Sequence, residues 1–140
     1  MTRIFFDTNL FLYMFEGLEP FSTRMLGIRR RMVERGDRIV TSALTLGEIL
    51  LKPTQLGQAG IAEEYDRAIR STSEIVNFDV HVARRYASLR ATHTLRGADA
   101  MQLACAAHAG VDLFITNDAH LRKLNVPGIG FIATLDRVPL

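Results

Sequence analysis

The sequence predicts an α/β fold, with helices on both sides of a central, mostly parallel sheet of four to five strands. Two observations carry this. Short runs rich in β-branched and aromatic residues (RIFF, RIVTS, EIVNFD, DLFITND and GIGFIATL) alternate with stretches of helical length. The runs are apolar at consecutive positions rather than at every second one, as in strands covered on both faces. The 140 residues show no linker, repeat or low-complexity stretch, so they read as one domain over 1–140.

In chain order, Arg3–Phe6 is the first strand, and Leu10–Phe15 is a helix that Asp7 or Asn9 can start. Phe21, Met25, Ile28 and Met32 form one helical stripe, stopped at Gly36. The same stripe, if exposed, would offer a partner an apolar groove. Arg38–Ser42 is the second strand. Leu44–Leu51 follows as a helix that should end before Pro53, because the residue ahead of a proline avoids helical geometry. Ile61–Arg70 is amphipathic, Glu74–Asp79 a strand and Val80–Thr92 a helix. Arg96–Gly110 is alanine-rich and closes on a glycine, a common C-terminal stop. Asp112–Asp118 is the fourth strand. A brief helix and the run GIGFIATL complete the chain.

Composition narrows the function. With 48% hydrophobic and 23% charged residues, the chain has a globular balance. Its single cysteine, Cys105, permits no internal disulfide and favours a reducing, cytoplasmic setting. Asp7 and Asn9 interrupt the apolar stretch a signal peptide would need, and no run reaches the ~20 apolar residues of a membrane span. His81, His93, His108 and His120 lack zinc-like spacing. G-x-S-x-G, P-loop and G-x-G-x-x-G patterns are missing, so serine hydrolase, triphosphatase and dinucleotide-binding readings lose support.

Ligands of open α/β sheets bind beyond the carboxyl ends of the strands. Asp7 follows the first strand and Asp118 the fourth; Glu48 sits in the apolar helix after RIVTS, and Asp99 in the first turn of the alanine-rich helix. Singly, each aspartate reads as a helix cap or a charge welcomed by the helix dipole. Glu48 is harder to explain that way, since a glutamate is rarely buried unpaired. Jointly, bare carboxylates ~4 Å apart would repel by about 4 kcal/mol per pair at an effective dielectric near 20. A hard cation, Mg2+ or Mn2+, removes that cost and brings phosphate chemistry with it. Thr8 and Asn9 would then hydrogen-bond the Asp7 carboxylate or nearby waters.

These residues resemble the PIN-domain ribonucleases, and most of all the VapC-type toxins of bacterial toxin–antitoxin pairs. FFDTNLFLY resembles the opening motif with Asp7, TSALTLGEIL the second with Glu48, LRGADAMQLACAAHAG the third with Asp99, and DLFITNDAHLRKL the fourth with Thr116, Asn117 and Asp118. The resemblance implies a PIN-like fold, cleavage of single-stranded RNA with Mg2+ or Mn2+ held by the four acids, an antitoxin partner and a homodimer. Setting the four acids aside leaves 11 acidic against 17 basic residues, a positive surplus suited to RNA. Arg96, just before the Asp99 motif, is the leading RNA-contact candidate; Arg29–Arg31, Arg84, Arg85 and Arg90 also contribute charge. Two other readings stand beside the toxin: a non-catalytic module in an antitoxin-containing regulatory complex, and a housekeeping RNA-processing nuclease.

Overall fold

The computed structural model describes residues 2–140. Strands β1 (Arg3–Phe6), β2 (Arg38–Ser42), β3 (Ser73–Val76), β4 (Leu113–Thr116) and β5 (Phe131–Thr134) form one sheet in the order β3-β2-β1-β4-β5. Every neighbouring pair is parallel. The helices are α1 (Thr8–Glu16), α2 (Phe21–Arg35), α3 (Ala43–Gln55), α4 (Ala59–Thr72), α5 (Val80–Thr92), α6 (Gly97–Ala109) and the short α7 (Ala119–Arg122). Among the described residues, no helix is long and apolar enough to cross a membrane.

Side chains leave a strand on alternate faces, and here both faces are covered. Phe5, Val40, Phe114 and Ile132 share one core with Val82, Leu89, Leu103 and Ala106 of α5 and α6. Phe5 and Phe114 stack across β1 and β4 with ring centroids 4.9 Å apart. Ile4, Phe6, Ile39 and Ile115 share the other core with Leu10, Phe11, Met25, Ile28 and Met32 of α1 and α2. The Phe21–Met32 stripe is therefore core rather than an open groove, with Phe21 stacked on Tyr13 at its margin. Small side chains let α6 bury nearly its whole circumference, from Ala100 to Ala107. Cys105 is one of them; burial foremost pushes its thiol up to about 11, so it packs as a small apolar group.

Several boundaries differ from the sequence reading. The third and fourth strands are shorter than expected, because Asp79 and Asp118 leave the sheet to cap α5 and α7 through their carboxylates. Helix α3 does not stop before Pro53. It runs to Gln55 with the buried ring in its last turn, where only one ladder bond is forfeited. Near the C-terminal strand, Gly128 has φ +98°, and a Cβ there would lie 2.7 Å from the Ala107 carbonyl oxygen. Gly128→Ala should cost about 1–3 kcal/mol, read as a lower urea midpoint with unchanged slope.

From β1 the chain adds β2 and β3 on one side, then returns to place β4 and β5 on the other. The order reverses between β1 and β4, which opens a crevice at their carboxyl ends.

Candidate active site

That crevice is a cavity of about 450 Å3, and Asp7, Glu48, Asp99 and Asp118 all line it, with Thr8, Asn9, Arg96 and Thr116. Asp7 is the most constrained. Its backbone N–H donates to the Ile115 carbonyl at 3.2 Å, which ties the end of β1 to β4. One carboxylate oxygen accepts the Thr8 N–H at 2.9 Å and so caps α1; the other accepts the Thr116 hydroxyl at 2.9 Å. Burial foremost raises the Asp7 pKa; the two hydrogen bonds oppose this, and the charges of Asp99 and Glu48 add to it.

Glu48 is not buried, as its apolar neighbours suggested. It lies on the exposed side of α3 and accepts the Thr8 hydroxyl at 2.7 Å. Thr8 in turn accepts from the amide of Gln102, buried on α6, at 3.1 Å. The same amide nitrogen donates to the Thr45 hydroxyl at 2.7 Å, and the Gln102 carbonyl oxygen accepts from the Ser42 hydroxyl. This chain of bonds runs from β2 through the core to the acidic rim. Sequence reasoning missed it, although one amide among the alanines of α6, three residues after Asp99, was a visible signal. Gln102→Leu removes the buried amide that bonds the Ser42, Thr45 and Thr8 hydroxyls and should cost about 1–3 kcal/mol in chemical denaturation.

On the far wall, Asp99 accepts from Arg96 Nε at 3.1 Å, and a terminal nitrogen of Arg96 lies 3.7 Å from Asp118. Asp118 also caps α7 by accepting the His120 N–H at 2.9 Å. Asn9 lines the cavity without bonding any of the acids, and Asn117 turns away to donate to the Tyr13 hydroxyl at 2.9 Å.

Among the described residues, no three His, Cys, Asp or Glu side chains are close enough to hold one ion as they stand. The carboxylates surround a cavity instead of converging, which like charges favour, and Arg96 offsets two of them. The donor set still suits a hard divalent cation: it is all oxygen, and Glu48 Oε2 and Asp99 Oδ1 carry no hydrogen bond among the described residues.

The PIN-domain family model matches residues 4–127, nearly the whole chain. The chain belongs to the PIN-domain family. Among solved structures, this PIN domain is similar to a chain of the FitAB complex bound to a DNA fragment: 20% identity, TM-score 0.71, covering 98% of each chain. A chain of VapBC2 from Rickettsia felis matches at 14% identity and TM-score 0.70, covering 94% of this chain and 98% of that one. A chain of DNA-bound VapBC from Salmonella typhimurium matches at 22% and 0.66, covering 96% and 99%. At these identities the likeness is one of fold. The search of curated proteins returned no match.

Proposed function

We propose that this PIN domain is a Mg2+- or Mn2+-dependent endoribonuclease, cleaving single-stranded or loop RNA as the cytoplasmic toxin of a type II toxin–antitoxin system. The observation that carries the reading is the meeting of four carboxylates, from the ends of β1 and β4 and from α3 and α6, in one cavity at the switch point. PIN domains are generally nucleases.

Asp7, Glu48, Asp99 and Asp118, which line the cavity, would hold the cation. Bound there, it would supply an acidified water and neutralise charge on a phosphodiester. The protein's own contributions are positional. Thr116 and the Thr8 N–H fix both oxygens of Asp7, while the Thr8 hydroxyl, backed by Gln102, aims Glu48. Arg96, with 79% of its side chain in solvent, stands at the mouth where it can meet an RNA phosphate. Cleavage would leave a 5′-phosphate and a 3′-hydroxyl.

The antitoxin assignment draws on the toxin–antitoxin complexes of similar fold and on an apolar groove beside the acids. Exposed Leu51, Leu56 and Ile61 line this groove with Leu12 and Tyr65, and Glu48 and Leu51 border both it and the acidic cavity. An antitoxin segment seated there would cover the cavity mouth. A homodimer completes the proposal.

Expression in a bacterial host tests this directly. Wild type should arrest growth, and Asp7→Ala should relieve the arrest at equal protein level. No arrest by either would favour the housekeeping nuclease or the non-catalytic module. Purified wild type that cuts RNA without arresting growth would single out the former.

A further inference from the structure

A second polar cavity, of about 370 Å3, lies at the amino ends of β2 and β3, the edge of the sheet opposite the acids. Arg29, Arg38, Asp37, Glu74 and Ser73 are among the residues lining it.

Both acids of this cavity are already matched. The wholly enclosed Asp37 side chain accepts the Thr2 N–H at 2.9 Å and Arg35 Nε at 2.8 Å. Glu74 takes a two-pronged bond from Arg3, at 2.7 and 2.8 Å. The arginines are not matched. Among the described residues, neither the Arg29 nor the Arg38 side chain has an ion-pair partner. Arg38 is exposed and solvated. Arg29 is only half-exposed, and burial lowers its pKa. A guanidinium drawn partly out of water without a counter-ion is costly, unlike the solvated Arg30 and Arg31 beside it on α2. Ser73 adds a hydroxyl whose only bond among the described residues is a long 3.4 Å contact to Thr72.

We propose that this cavity is a phosphate-binding site, with the guanidinium groups of Arg29 and Arg38 and the Ser73 hydroxyl as donors. Guanidinium forks match phosphate oxygens in pairs, and two unmatched positive charges suit a phosphate monoester or neighbouring phosphates of an RNA strand. The site stands whether or not the acidic cavity cleaves RNA, because it shares no residue with it.

Nuclear magnetic resonance of the 140-residue chain, titrated with inorganic phosphate at constant ionic strength, tests the site. Saturable shifts are expected at the Arg29 and Arg38 Nε–H groups and at the Ser71–Glu74 amides, with affinity at least about tenfold lower in R29Q and in R38Q. A parallel arm measures binding of a labelled single-stranded oligoribonucleotide in EDTA. If the phosphate belongs to RNA, each substitution also reduces the salt slope of that binding by about 0.7. If RNA binding is unchanged while phosphate saturation is lost, the ligand is free phosphate or a small phosphate ester. Shifts that fail to saturate, that chloride reproduces, or that persist in both variants overturn the proposal.

Discussion

Replacing Asp7 with Asn should lower RNA cleavage at least about 100-fold while raising the melting temperature of the metal-free protein. The activity loss follows from removing a proposed ligand, since even the groups that support metal ligands are worth 10–100-fold. The gain in stability has a different origin. Burial raises the Asp7 pKa, so the folded protein binds more protons than the unfolded chain between the ordinary carboxylate value and the raised one. Stability is therefore highest below that window and falls as pH rises through it. Asn avoids that loss yet can still accept the Thr8 N–H and meet the Thr116 hydroxyl. The advantage of the variant should vanish in acid, where wild-type Asp7 is protonated. Thermal melts across pH, with RNA cleavage assayed in parallel, check both halves. A variant that keeps full activity defeats the assignment, and one that melts lower at neutral pH defeats the electrostatic account.

Chelation is the second large effect. With EDTA in excess, cleavage should drop by about 100- to 1,000-fold and return when Mg2+ or Mn2+ is restored. This is the scale of several kcal/mol of transition-state stabilisation at about 1.4 kcal/mol per tenfold. The same titration has a readout that needs no RNA. A ligand at 100 times its dissociation constant stabilises a fold by about 2.7 kcal/mol, so Mn2+ should raise the wild-type melting temperature. Asp99→Asn should shrink that rise, because it removes a carboxylate with an oxygen that carries no hydrogen bond among the described residues. Undiminished cleavage in EDTA would remove the metal from the proposal.

Much of the fold was written locally. Strands β1, β2 and β4 announce themselves as consecutive apolar runs, and Gly36 and Gly110 mark helix ends, since φ values of +73° and +68° favour a residue without Cβ. The errors were local as well. As strands, Glu74–Asp79 and Asp112–Asp118 run on through aspartates that cap helices in the fold, and Pro53 looks like a stop although a last turn tolerates it.

A doubly covered parallel sheet, and the placement of Asp7 and Asp118 just past its strands, follow from contiguous residues, because burial periodicity and strand ends are local properties. How the site is held depends on contacts between distant segments. Thr116 reaches Asp7 across 109 residues, and Gln102 reaches Thr8 across 94. Packing likewise exposed Glu48, laid Arg96 between Asp99 and Asp118, and turned Asn117 toward Tyr13. Hydrogen bonds need their atoms placed to within a few tenths of an ångström, and only the packing of helices on the sheet sets distances between distant segments that finely.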